Sequence, residues 1–304
     1  MSRIHDALKK AEQGRIAAAA SESAVSPVEM VEIEDVPTES SRGIVAASVE
    51  ERPRPLTLEA LLANCPKPLW NPDPKKILSF NSQNHVHGTE EFRTLRSRLF
   101  QIREKQPLRT VLVTSPVPGE GKSFIAANLA QVIVRQQGRR ALLIDADLRW
   151  SRLHLFFGAP ATPGLTDYLL GEADELSVIQ RGSHQNLFFI AGGKSVSNPA
   201  ELIGNGRLKV FLHRIAPLFD WIIIDSPAAI PISDASLLAD LCDGVLLVVQ
   251  ANSTPFDVSQ KVRQEFRDKR LLGVVLNRAG AGSGYSSYYF PYYGRKSTDS
   301  KRKS

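Results

Sequence analysis

Six short apolar runs punctuate the second two-thirds of the chain: TVLVTS (110–115), ALLIDAD (141–147), LFFIAG (187–192), WIIIDS (221–226), GVLLVVQ (244–250) and LLGVVLN (271–277). They are continuous Val/Ile/Leu blocks with no polar alternation, the pattern of strands buried on both faces. Helical stretches separate them, and one precedes them: GTEEFRTLRSRLFQIRE sets Phe92, Leu95 and Leu99 on one face and charges on the other. Strand followed by helix, repeated, predicts an α/β fold with a doubly wound, mostly parallel sheet flanked by helices.

The texture upstream is different. Residues 1–15 predict a short amphipathic helix with Ile4, Ala7, Leu8 and Ala11 on one stripe. A helix this short is marginal in water, so it is expected to dock on something. Residues 16–79, rich in Ala, Ser, Glu and Pro, read as a flexible linker with one helical turn at LEALLA. The expected organisation is therefore a docking helix (1–15), a linker (16–79), a catalytic domain (80–280) and a flexible tail (281–304).

Charge sharpens the view of the ends. Glu22, Glu29, Glu32, Glu34, Asp35 and Glu39 stand in a stretch, 16–41, without Lys or Arg, whereas the terminal GRKSTDSKRKS is strongly basic. Both ends read as solvated segments of opposite sign. The net charge of +6 does not by itself point to nucleic acid, because no aromatic–basic reading surface accompanies it. No apolar run approaches the ~18 residues of a spanning helix, and the N-terminus has no apolar signal core. Cys65 and Cys242 show neither ligand nor redox spacing, so a cytoplasmic setting is expected.

The chemistry concentrates after the first strand. TSPVPGEGKS (114–123) runs from a buried strand into a helix and ends Gly119-Glu120-Gly121-Lys122-Ser123. Glycines let backbone N–H groups turn inward around a phosphate, the helix N-terminus adds its positive end, and Lys122 reaches the β/γ-phosphates. Ser123 supplies an oxygen for Mg2+. One departure stands out: Pro116 occupies the first glycine position of the G-x-x-x-x-G-K-[ST] pattern. Asp145 and Asp147 close the second strand and Asp225 the fourth, at the carboxyl ends where such sheets bind ligands. Singly these are turn or capping residues; beside a phosphate loop they make a Mg–nucleotide site.

Five of the six tyrosines, Tyr285, Tyr288, Tyr289, Tyr292 and Tyr293, crowd into YSSYYFPYY. With these motifs in place, the chain from about 80 to 293 resembles the bacterial tyrosine kinases of capsule and exopolysaccharide biosynthesis, in the form separate from its membrane activator. The resemblance rests on PGEGKS, LLIDADLR, LHLFFGAPATPGLTDYLLGE (153–172), NPAELI (198–203), IIIDSPAAIPISDASLLADLCDGVLLVV, GVVLN and the tyrosine cluster. It implies an ATP- and Mg2+-dependent autokinase whose tail is its own acceptor, probing a neighbouring subunit's site.

By that resemblance Pro118, Gly119, Glu120, Gly121, Lys122, Ser123 and Phe124 line the nucleotide site. Asp145 orients or deprotonates the phenol, while Asp147 and Asp225 join Ser123 in holding Mg2+; spacing alone does not divide the roles of Asp145 and Asp147. Asn277 falls where the family contacts adenine, and equally where a strand-end turn residue would stand. The oligomer motif E-x-x-R-x-x-R is present as Glu90, Arg93 and Arg96. Implied partners are a membrane polysaccharide co-polymerase acting as activator, a phosphotyrosine phosphatase and further copies of the chain, with peripheral attachment to the inner membrane face through the activator. Three rival readings share parts of the pattern. A ParA/MinD-like positioning ATPase would carry a signature lysine where Val117 stands, a catalytically dead binder would not need the full acid set, and a DNA-binding role lacks a reading surface.

Overall fold

A computed structural model describes residues 56–80, 88–182 and 184–279. The strands are β1 (Thr110–Thr114), β2 (Ala141–Asp145), β3 (Gln180–Arg181), β4 (Leu187–Ile190), β5 (Trp221–Asp225), β6 (Gly244–Gln250) and β7 (Leu271–Asn277). The helices are α1 (Leu58–Asn64), α2 (Thr89–Lys105), α3 (Lys122–Val134), α4 (Leu153–Phe157), α5 (Leu165–Leu170), α6 (Pro199–Gly204), α7 (Arg207–Ile215), α8 (Asp234–Ala239) and α9 (Phe256–Glu265). One seven-stranded sheet runs in the order β3-β4-β2-β5-β1-β6-β7. All its pairings are parallel except β3 with β4. The six apolar runs are strands as expected. β3 is the addition: two residues, Gln and Arg, leave no periodicity to read.

The sheet has a core on each face because successive side chains point to opposite sides. Leu112, Ile144, Ile224 and Leu247 face the layer of α5, α6, α7, α8 and α9. Val113, Leu143, Ile223 and Val248 face α2, α3 and α4. α3 is apolar nearly all round, from Ile125 to Val134, because it lies between the sheet and α2. α2 buries Phe92 and Leu99; Glu90 and Glu91 in its first turn and Arg103 and Lys105 in its last match the helix dipole.

The expected linker differs from what is found. Residues 56–80 are folded onto the domain, so its boundary lies before residue 56 and not at 80. Thr57 caps α1 by accepting the Ala60 N–H at 3.1 Å. Leu61 is fully buried in one core, while Trp70, Ile77 and Phe80 are buried in the other. The segment thus wraps the β3 edge, with the Arg181 N–H donating to the Pro66 carbonyl at 2.9 Å. Its prolines and short apolar spacing hid this, since single anchors separated by proline-rich chain show no periodicity. The docking helix 1–15 and the tail 281–304 lie outside the described residues. Among the described residues no helix is long and apolar enough to cross a membrane.

Candidate active site

The parallel strands bring their carboxyl ends to one rim, and the register aligns Asp145 with Asp225 as neighbours on β2 and β5. Between β1 and α3 the loop 115–121 turns with Gly119 at φ +88° and Gly121 at φ +95°, left-handed conformations that favour glycine. At Gly121 an added Cβ would also lie 2.2 Å from Asn277 Nδ2. Pro116 does not disturb the cradle: its carbonyl accepts the Ile230 N–H at 3.2 Å, and Ser115 likewise accepts from Ala229 at 2.8 Å. The loop is tied there to the segment after β5.

A cleft of about 910 Å³ opens over this rim. Of the expected residues, Pro118, Gly119, Gly121, Lys122, Ser123, Phe124, Asp147 and Asn277 line it. Lys122 Nζ lies 3.2 Å from Asp147 Oδ2, both largely buried. Burial works to lower the ammonium's pKa, but Asp225, Asp147 and Asp145 outweigh it and hold it above the usual lysine value. Asp225 is buried, and its Oδ1 has no hydrogen-bond partner. Burial pushes its pKa up to about 8, against the pull of Lys122 and with help from Asp145; Ser123 opposes the rise. Three carboxylates thus surround one ammonium, with one oxygen unsatisfied. The donor set fits Mg2+, which takes one or two carboxylates and completes its shell with water and phosphate oxygens. Among the described residues no cluster of three or more His, Cys, Asp or Glu could hold a metal by itself.

Asp145 and Glu120 stand behind the cleft wall. Asp145 Oδ2 accepts the Ser151 hydroxyl at 2.8 Å and the N–H groups of Arg152 and Leu153 at 3.1 and 3.0 Å. Its Oδ1 accepts the Asp147 N–H at 3.3 Å. It thereby caps α4 and fixes the turn that carries Asp147. Burial raises its pKa to about 6, while the Ser151 and Leu153 hydrogen bonds oppose the rise. Glu120 turns away from the cleft: its carboxylate accepts Val117 N–H at 2.9 Å, Gln250 N–H at 3.2 Å and the Thr254 hydroxyl. Asn277 Nδ2 donates to the Glu120 carbonyl at 2.7 Å. Loop, β6 end and β7 end are therefore latched together.

Sequence reasoning missed several contributors. Arg149 grips buried Asp234 with two bonds, Nε at 2.7 Å and Nη2 at 3.0 Å, tying the β2 turn to α8. Both residues lie within motifs quoted above, but their separation along the chain conceals the pair. Lys76, Trp150, Arg152, Phe156 and Arg278 also line the cleft. On α2, Arg93 pairs with Glu90 of its own helix, and Arg96 Nη1 donates to the Val132 carbonyl of α3 at 2.9 Å. Arg96 is thus engaged within the chain, although its pattern suggested a partner across a boundary. The five clustered tyrosines lie outside the described residues.

Comparison with known proteins matches this architecture. Residues 111–288 fit the CobQ/CobB/MinD/ParA nucleotide binding domain family, which defines the class. The septum site-determining protein MinD of Pyrococcus horikoshii OT3, complexed with Mg-ADP, superposes with a TM-score of 0.50 at 25% identity, over 58% of this chain and 72% of that one. The chimerical protein CapA2B2 superposes with a TM-score of 0.63 at 29% identity, over 73% of this chain and 97% of its own. The tyrosine-protein kinase YwqD of Bacillus subtilis (strain 168) is 34% identical over 211 residues, covering 69% of this chain and 87% of that protein. Within the nucleotide-binding class, the chain belongs to the bacterial tyrosine-protein kinases.

Proposed function

We propose that this protein transfers the γ-phosphoryl group of ATP to tyrosines of its own kind, chiefly Tyr285, Tyr288, Tyr289, Tyr292 and Tyr293, and so regulates polymerisation and export of a capsular or exopolysaccharide. The observation that carries the reading is the Lys122–Asp147 contact at 3.2 Å beside Asp225, whose Oδ1 is buried without a partner, at the mouth of a glycine loop. Bound ATP–Mg2+ supplies the phosphoryl group and the charge that neutralises it during transfer. The loop amides and Lys122 would hold the phosphates, and Ser123 would hold Mg2+ with Asp147 and Asp225 acting largely through water. The acceptor's phenolic oxygen bonds to the γ-phosphorus as the bond to the ADP oxygen breaks, and its proton passes to the Asp145–Asp147 pair. Asp147 is the member on the cleft wall; Asp145 fixes its backbone.

The tail is offered to neighbouring copies, with the half-exposed Glu90 and Arg93 at the boundary between them and Arg96 bracing α2 against α3 behind it. A membrane polysaccharide co-polymerase activates the chain and holds it at the inner membrane face, and a phosphotyrosine phosphatase resets it. Each phosphotyrosine adds about −1.5 to −2 charge, so heavily modified tails repel and disperse the assembly. The test is transfer of labelled γ-phosphate from ATP–Mg2+ to the purified full chain, with and without the activator's cytoplasmic segment. Lys122→Met and a chain with all five tail tyrosines changed to Phe run beside it. Tyrosine label that vanishes in both supports the reading; ATP hydrolysis without tyrosine label, activator present, would move the assignment to a MinD-like positioning ATPase.

A further inference from the structure

One large apolar side chain at the cleft has no packing role. Trp150 is 70% exposed, whereas the other two tryptophans, Trp70 and Trp221, are buried. Its backbone is not loose: the Trp150 N–H donates to Asp147 Oδ1 at 3.1 Å, so the indole is mounted on the turn that carries the carboxylate paired with Lys122. The Arg152 guanidinium lies 5.9 Å from the ring, and the Arg152 N–H is bound to Asp145. Phe156 stands on the same wall, held by Lys76 at 4.9 Å from its ring centroid and by the Asp73 N–H on its carbonyl at 2.9 Å.

The strand order says which end of the nucleotide this wall faces. Asn277 and Arg278, at the β7 end, form one flank of the cleft, and Trp150 follows β2 at the other. The phosphate loop after β1 and Asp225 at the end of β5 lie between them. Four strand spacings, about 19 Å, separate β2 from β7. A base lodged at the β7 flank directs its phosphates across the loop toward β2, and the group attacking the last phosphate must approach from that side.

We propose that Trp150 is the seat of the acceptor ring: the tyrosine's aromatic face lies on the indole, which aims its hydroxyl at the phosphate held by Lys122. This rests on the tyrosine-kinase reading and adds to it the residue that selects an aromatic acceptor. Stacked or edge-on aromatic pairs contribute about 0.5–1.5 kcal/mol, equivalent to about 2- to 13-fold in affinity.

The test uses the full chain with its five tail tyrosines changed to Ala, so that no tail tyrosine competes and buried Tyr168 is the one that remains. A fluorescein-labelled YSSYYFPYY peptide is titrated in ADP–Mg2+ by anisotropy, mant-ADP affinity is measured separately, and kcat and KM for the peptide follow with ATP. Trp150→Ala is expected to raise peptide Kd and KM about fivefold and leave mant-ADP binding unchanged; Trp150→Phe stays within about twofold of Trp. The proposal is overturned if Trp150→Ala weakens mant-ADP instead, if a peptide with Leu for Tyr binds equally well, if the parent chain binds no peptide, or if the variant alters only sedimentation. Peptide binding that depends on Trp150 without any tyrosine phosphate would uphold the seat while removing the kinase reading.

Discussion

Glu120 offers the sharpest test of how the phosphate loop is held. Its carboxylate is buried, and its three acceptor bonds join the loop at Val117 to the β6 end at Gln250 and to Thr254. Hydrogen bonds to a charged group contribute about 1.5–3 kcal/mol each, and a stranded buried donor costs about 1–3 kcal/mol. Val117 and Gln250 are only half-buried, so water recovers part of the loss. Glu120→Ala should therefore cost about 2–4 kcal/mol. Glu120→Gln keeps one good acceptor oxygen but turns an NH2 toward a donor, and should cost about 1–2 kcal/mol. Thr254→Val removes a single hydroxyl, about 0.5–1.5 kcal/mol, and should couple to Glu120→Gln in a double-mutant cycle. Urea unfolding measures these values, and mant-ADP titration reports the loop. If the released loop is in its binding geometry a tenth of the time, nucleotide affinity falls about tenfold. An unchanged unfolding midpoint in Glu120→Ala, combined with a large loss of nucleotide, would refute the latch and place the carboxylate on the ligand.

Three further outcomes are expected. Leu61→Ala should destabilise the domain by about 2–5 kcal/mol in urea, because the side chain is fully buried; a loss under about 1 kcal/mol would detach residues 56–80 from the core. Gly121→Ala should abolish measurable mant-ADP binding, since its Cβ meets Asn277 and φ is +95°; Asn277→Ala in the same chain should restore space but not the backbone conformation, giving partial recovery at most. Burial holds His154 and His184 below their ordinary pKa, with Arg135 adding to the effect at His184. Such groups bind protons more readily when unfolded, so their contribution is intact above about pH 6.5 and is lost as pH falls through and below it. Buried Asp225 and Asp145, with pKa values raised to about 8 and about 6, act in the opposite sense over this range, so the histidines are read by difference. Between pH 7.5 and pH 5.5 the parent chain's urea midpoint should fall relative to that of a His154→Gln/His184→Gln chain, and parallel profiles would refute the assignment.

The fold was legible where burial is symmetrical. Ile222, Ile223 and Ile224 are all fully buried, and such runs announce strands enclosed on both faces. The phosphate loop and the strand-end acids were legible because their chemistry is local in sequence. What escaped depends on distant partners. Asp234 is an ordinary helix-start acid until Arg149 arrives from the β2 turn. Glu120 sits among the loop residues yet faces away from the cleft, which no spacing rule conveys. Trp70 reads as a lone aromatic between prolines, and only the ring contacts with Phe157 at 5.2 Å and Phe189 at 6.0 Å make it an anchor.

The position of β7 at the sheet's edge also sets a ruler for the tail. On the proposed reading the chain leaves β7 beside the bound nucleotide, and Tyr285 is the sixth residue beyond Ala279. Fully stretched, six residues reach about 20–22 Å, hardly more than the roughly 19 Å across four strands to the β2 side. On that reading Tyr285 would reach its own chain's β2 side only with the intervening residues fully extended. Tyr293, fourteen residues out with a reach of about 46–50 Å, has slack to spare. If the tail is the acceptor, as proposed, its five hydroxyls are graded by chain length: the outermost would reach either their own cleft or another's, and the innermost would gain most from a neighbour.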